Sequence, residues 1–324
     1  MELCLYDPEV GFFSTGGGAG RSDRDFVTSP EIGPLFGEVV ARALDRWWDQ
    51  LDRPEAFTVV DAGAGRGTLA RAILAAEPAC RTALELVLVE RSAALRGEHP
   101  AGVTSVGDMP QRIDIGVVVA NELLDNLAFR VIERTEAGWC DVVVDLDDDG
   151  LTERLGPPVG AAAGDGPIGA RVPIQTAARA WVVSTLAAVG LGGLVAIDYT
   201  STTAELARLG DAGWLRTYRG QQRGGSPLDR PGGQDLTADV CLDQLPEPDE
   251  TIAQADYLGR HGIGELVEEG RRIWQERAHL GDLEAMRARS RVAEAEALTD
   301  RDGLGGFVLA VWNASGGRGP TITL

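Results

Sequence analysis

The run Asp61-Ala62-Gly63-Ala64-Gly65-Arg66-Gly67 has the composition of a loop whose backbone can close on a ligand. It follows the apolar stretch Phe57 to Val60 and precedes a helical stretch, Thr68 to Ala76. Free N–H groups and the positive end of a helix would therefore point at whatever binds there. The next apolar stretch ends at Glu90, whose carboxylate could accept both hydroxyls of a ribose. A dinucleotide fingerprint needs glycine at position 68, which is Thr68 here, and the glycines read G-x-G-x-G instead. Asp108, after a third apolar stretch, is a candidate for an adenine amino group or else a solvated turn aspartate. A tight glycine turn with no ligand is the bland alternative to a nucleoside site.

The segment Asn121-Glu122-Leu123-Leu124-Asp125 closes a fourth apolar stretch, at the sheet edge where open α/β folds bind ligands. Glu122 and Asp125 can face the same side if a helical turn follows. Acids also favour a helix N-terminus for its own sake, which is the structural alternative.

Positioning these groups requires strands alternating with helices. A helix is expected from Pro34 to Trp48, with Leu35, Val39, Ala43 and Trp47 on one face. Strands are expected at 57–60, 84–89, 103–106 and 115–120, the last apolar throughout, as in a parallel strand buried on both faces. This alternation predicts an α/β fold with a Rossmann-like, doubly wound sheet. A hairpin insertion is expected near 128–147 and a mobile Gly/Pro/Ala-rich loop at 156–169. A helix at 176–189 should feed a strand at 194–197. Residues 1–30 read as loop, around Gly16-Gly17-Gly18-Ala19-Gly20, and 211–237 as too polar for core. The division expected is a lid-forming segment 1–50, a core at 51–200, a mostly helical substrate-side insertion at 201–300, and closing strands at 306–312 and 321–324 within 301–324.

Composition narrows the function classes. All 30 basic residues among the 324 are arginine. Without lysine there is no Schiff base and no P-loop. The net charge of −20 disfavours nucleic acid and leaves a basic protein segment compatible. Cys4, Cys80, Cys140 and Cys241, with His99, His261 and His279, show no metal-ligand spacing, so buried free thiols and no metal are expected. No apolar run reaches the ~18 residues that span a bilayer. The N-terminus lacks signal-peptide character, and a cytoplasmic location without membrane contact is expected.

Several segments resemble the MidA-like family of class I methyltransferases, which includes a mitochondrial complex I assembly arginine methyltransferase. They are Tyr6-Asp7-Pro8 to Gly11-Phe12-Phe13, Asp25-Phe26-Val27-Thr28-Ser29-Pro30-Glu31 and Phe36-Gly37-Glu38. The glycine loop with Thr68-Leu69, Ala120 to Asp125, Ile197-Asp198-Tyr199, Gly232 to Val240 and Gly305-Gly306-Phe307 continue the match in family order. The resemblance implies S-adenosyl-L-methionine as cofactor. It would be held by Asp61, Gly63, Gly65, Gly67, Thr68, Glu90, Asp108, Asn121, Thr28 and Pro30. It also implies methylation of a protein side chain such as arginine, on a partner that could be a respiratory complex subunit. Paired carboxylates suit such an acceptor, because they can hold a guanidinium bidentately and take its proton. Glu122 is the first candidate, then Asp125 and Glu31, with Tyr199 as a pocket wall. Three departures stand out: Ala128 replaces a family proline, Gly213 to Tyr218 is followed by Gln221-Gln222 where the family has histidine, and family chains start before the position of Met1. The alternatives are a small-molecule methyltransferase and a cofactor-binding assembly factor with little turnover.

Overall fold

The computed structural model describes residues 1–15, 17–18, 27–148, 150–160, 163–209, 213–220, 222–314 and 321–324. Helices α1 (Glu2–Tyr6), α2 (Ser29–Ile32) and α3 (Pro34–Gln50) precede strand β1 (Phe57–Ala62). After it come α4 (Thr68–Ala75), β2 (Leu84–Val89), α5 (Ala93–Arg96), β3 (Thr104–Val106) and β4 (Ile113–Asn121). An antiparallel sheet follows, from β5 (Arg130–Thr135), β6 (Gly138–Asp147), β7 (Gly150–Pro158) and β8 (Arg171–Ile174). Helix α6 (Thr176–Ala188) leads into β9 (Val189–Asp198), β10 (Thr200–Ser201) and α7 (Thr203–Leu209). Then come β11 (Leu215–Arg219), β12 (Gln222–Arg223), β13 (Asp235–Ala238), β14 (Val240–Cys241) and β15 (Glu250–Ala253). Helices α8 (Gln254–Arg260), α9 (Ile263–Arg277) and α10 (Leu283–Thr299) precede the last strand, β16 (Val308–Asn313).

The main sheet has the order β15-β16-β9-β4-β1-β2-β3. Strands β3, β2, β1, β4 and β9 are parallel, while β16 runs antiparallel to β9 and β15 to β16. From β1 the chain proceeds outward to β2 and β3, then crosses to β4 on the other side. The carboxyl ends of β1 and β4 therefore flank a topological switch point, the usual ligand crevice of such sheets.

The apolar run of β4 serves two cores. Val117 and Val119 pack with residues of α3, α4, α8 and α9, whereas Val118 and Ala120 pack with Ala178 and Val182 of α6. Alternation across the pleat thus explains a continuous apolar strand. Trp47 of α3 is buried and its Nε1 donates to the Thr323 carbonyl at 2.9 Å.

Several expectations are corrected. Residues 2–6 and 29–32 are helical, not loop, although Gly16, Ala19 and Gly20 of the glycine run and Asp25-Phe26 lie outside the described residues. The insertion is a four-stranded sheet, and β7 takes in Gly156 to Pro158, read from sequence as mobile loop. The region 201–300 is not mostly helical: β10 to β15 occupy its first half with the short α7 among them, and α8 to α10 fill the second. Within 211–237, Trp214, Thr217, Asp235, Leu236 and Thr237 are buried despite the polar composition, because the polar side chains are hydrogen-bonded. The second closing strand is β15, not 321–324. There the N–H of Ile322 goes to Asn313 Oδ1 at 2.8 Å and that of Thr323 to Gln50 Oε1 at 3.1 Å, so side chains replace a strand ladder.

Candidate functional site

Two adjoining cavities open at the carboxyl ends of β1, β4 and β9. The first, about 360 Å³, lies over the glycine loop. Gly63, Gly65 and Gly67 all have positive φ, at 74°, 54° and 76°. A Cβ at Gly67 would come within 2.9 Å of Leu88, so that glycine packs the loop onto β2. At Gly65 a Cβ would meet nothing, and its N–H donates to Glu90 Oε2 at 3.1 Å. The other oxygen of Glu90 accepts the Ser92 N–H at 2.7 Å, so the carboxylate at the end of β2 tethers the loop while lining the cavity. Burial raises the Glu90 pKa against those two donors.

Thr28, Pro30, Glu31, Asp61, Gly63, Gly65, Thr68, Glu90, Asp108, Asn121 and Glu122 all line this cavity. Gly67 does not; it caps α4 instead. Asp61 Oδ2 and Asn121 Oδ1 are buried without a hydrogen-bond partner, acceptors that a ligand donor could satisfy. Burial, and then the charge of Glu90, push Asp61 up to about 7. Val89, Leu95 and Met109 supply apolar wall. Tyr6 and Phe13 close it from the N-terminal segment, held by the Arg91 guanidinium, 4.3 Å from the Tyr6 ring centre.

The second cavity, about 520 Å³, is lined by Val27, Glu122, Asp125, Asn126, Tyr199, Arg216, Tyr218, Asp235, Thr237 and Phe307. Glu122 and Asn126 line both cavities. The chain leaves β4 with Glu122 at φ 51°, a left-handed conformation that costs a non-glycine residue ~1–3 kcal/mol. A single 3-10 turn, Leu124 to Asn126, follows and turns Asp125 toward the cavity that Glu122 also faces. Glu122 Oε1 accepts the Ser29 N–H and the Asn121 amide, each at 3.2 Å. Burial, and then the charge of Asp125, push Glu122 up to about 8. Asp125 is buried, with Oδ2 accepting the Tyr199 and Thr237 hydroxyls and Oδ1 left without a partner. Burial raises its pKa, opposed by those hydroxyls and by Arg216.

Glu31 is not part of this carboxylate group. Its Oε1 accepts the Thr68 hydroxyl at 2.6 Å, joining α2 to the start of α4 beside the glycine loop. Gln222 is exposed on β12, and position 221 lies outside the described residues. Sequence reasoning missed Asp235, Thr237 and Arg216 as cavity residues. The alternation Asp235-Leu236-Thr237-Ala238 is a weak strand signal in a segment whose polarity argued for surface. No group of His, Cys, Asp and Glu fit to hold a metal occurs among the described residues.

The model of a family of S-adenosyl-L-methionine-dependent methyltransferases matches residues 39–260, more than half of the chain. The chain is similar to "Protein arginine methyltransferase NDUFAF7 homolog, mitochondrial" of Drosophila melanogaster, 28% identical over 80% of this chain and 67% of that protein. It is also similar to the Danio rerio protein arginine methyltransferase NDUFAF7, 26% identical over 76% of this chain and 66% of that one. It thus spans about two thirds of the length of these relatives. Among solved structures, a COG1565 superfamily member from Burkholderia thailandensis bound to S-adenosyl-homocysteine superposes with a TM-score of 0.83. That pair is 28% identical, over 98% of this chain and 89% of the other.

Proposed function

The chain belongs to this MidA-like family of S-adenosyl-L-methionine-dependent methyltransferases, and from that premise we propose that its methyl acceptor is an arginine side chain of a protein. The observation that carries the reading is the second cavity, where Glu122, Asp125 and Asp235 share one chamber with the aromatic rings of Tyr199, Tyr218 and Phe307. Carboxylates and ring faces together suit a planar cation.

The first cavity fits the cofactor. Asp61 Oδ2 and Asn121 Oδ1 are orphaned acceptors, the glycine loop leaves open space at Gly65, and apolar side chains wall the rest. Asp61, Gly63, Gly65, Thr68, Glu90, Asp108, Asn121, Thr28 and Pro30 would hold it, with Gly67 shaping the loop. When bound, S-adenosyl-L-methionine supplies an electrophilic methyl group carried on a sulfonium.

The residues divide the remaining work. Asp125 Oδ1 offers an unfilled acceptor to a guanidinium N–H. Glu122, common to both cavities, stands where acceptor and cofactor meet. A guanidinium nitrogen that gains a methyl group must give up one proton, and Glu122 is placed to take it. A carboxylate poised near the working pH is a competent base. Fixing the acceptor in line supplies orientation, which can be worth ~7–11 kcal/mol of a barrier.

The names of the relatives support a protein acceptor, and in this reading the enzyme works in the cytoplasm, where its four free cysteines stay reduced. The test is incubation of the purified protein with a lysate and labelled S-adenosyl-L-methionine, followed by mass spectrometry. Label on arginine that is lost with Glu122→Gln supports the reading. Label only on small metabolites overturns it in favour of a small-molecule acceptor. Cofactor binding without any transfer overturns it in favour of an assembly factor.

A further inference from the structure

Beyond the ring face that Tyr199 offers to the second cavity, the Asp198-Tyr199 pair at the end of β9 grips the turn that carries Asp125. Asp198 Oδ2 accepts the N–H groups of Leu124 at 3.1 Å and Asp125 at 3.3 Å, while its Oδ1 accepts the Tyr199 N–H at 3.0 Å. The Tyr199 hydroxyl and the Thr237 hydroxyl of β13 both donate to Asp125 Oδ2. The Tyr199 ring is itself braced, by the Arg216 guanidinium 4.4 Å from its centre and by Phe307 edge-on at 5.3 Å. Arg216 is fixed in turn by Asp239 at 2.5 Å.

We infer that Asp198, Tyr199 and Thr237 are positioning residues that lock Asp125 so that Oδ1 alone faces the acceptor. Backbone clamping by Asp198 fixes where the residue sits, and the two hydroxyls fix which oxygen is consumed. Tyr199 is therefore more than a pocket wall. The lock also biases charge, because donors to a carboxylate stabilise its ionised form. They do so against burial and against the neighbouring Glu122, Asp198 and Asp235 charges, with Arg216 assisting and the Tyr6 phenol facing the same group from α1.

This inference rests on Asp125 being the acceptor anchor, so the experiment separates the two claims. In protein carrying 13C-labelled aspartate side-chain carboxyls, the Asp125 resonance is identified by its loss in Asp125→Asn and titrated by NMR. In the double variant Tyr199→Phe/Thr237→Val the titration midpoint moves up by about one pH unit or more, the cost of removing a charge-assisted donor. Acceptor KM rises about tenfold, whereas the calorimetric Kd for S-adenosyl-L-methionine stays within about twofold, because no cofactor-facing group is changed. If the double variant does not fold, Tyr199→Phe alone, which keeps the Thr237 donor, is read by the same titration for a smaller upward shift. An unchanged midpoint in a folded variant overturns the lock. Absence of arginine methylation by the wild-type chain overturns the functional reading instead, and the titration still decides the lock.

Discussion

Glu122 and Asp61 set opposing demands on a single protonation balance. Glu122 acts as a base only when ionised, so the transfer rate should climb as pH rises through about 8. Glu122→Gln preserves shape and removes the base; kcat should fall about 10²- to 10⁴-fold, far more than the calorimetric cofactor Kd changes. Stability should move the other way. Both groups have folded pKa values raised above their ordinary 4.5 and 3.8. The folded chain thus binds more protons than the unfolded one, and their contribution is full below about pH 4 and lost as pH rises through 7 to 8. Asp61→Asn should stabilise the cofactor-free chain at pH 8 by about 1–3 kcal/mol in denaturant melts. The same change should weaken cofactor binding about tenfold, by removing a charged acceptor. A melt in which Asp61→Asn is less stable than wild type at pH 8 would contradict this account of the buried carboxyl.

At the scale of elements, the Thr68 to Glu31 hydrogen bond is where α2 meets α4. Thr68→Val should raise the cofactor Kd about three- to tenfold with little change in Tm, since it frees α2 without emptying the core. Trp47→Ala should cost about 3–5 kcal/mol in chemical denaturation, by opening a cavity under α3 and releasing the Thr323 carbonyl. Of these elements α3 and α4 were readable in advance, as were β1, β2 and β4 with the glycine loop between β1 and α4, whereas α2 reads as loop from sequence. What escaped were β10 to β14, strands of two to five residues whose buried polar groups are held by partners far along the chain. Local pattern cannot register Asn126 bonding to Asp235, or Asp125 to Tyr199. The same blindness placed Glu31 with Asp125: the acidic residue types were legible, but the hydroxyl of Thr68 that claims Glu31 was not.

Over the whole molecule, a charge of −20 would attract a cationic acceptor from a distance. Acceptor KM for a basic protein should rise as salt is increased from 0.05 to 0.5 M, roughly tenfold, while cofactor Kd changes little. A KM indifferent to salt would show that contacts inside the cavity, not the surface field, bring the acceptor in.

The hydrogen bonds that shape the acceptor chamber reach from Glu122 and Asp125 back to Ser29 and forward to Asp198, Tyr199 and Thr237. Biosynthesis runs in that order too. A nascent chain that has emerged only through β9 carries the residues of the glycine loop, Glu90 and Ser29, but not Thr237. Both chambers are therefore closed only once the C-terminal part is made, because Gln254 accepts the Ser29 hydroxyl and Glu294 the Leu35 N–H, so a chain ending at β9 would lack the anchors of α2 and α3 beside the glycine loop.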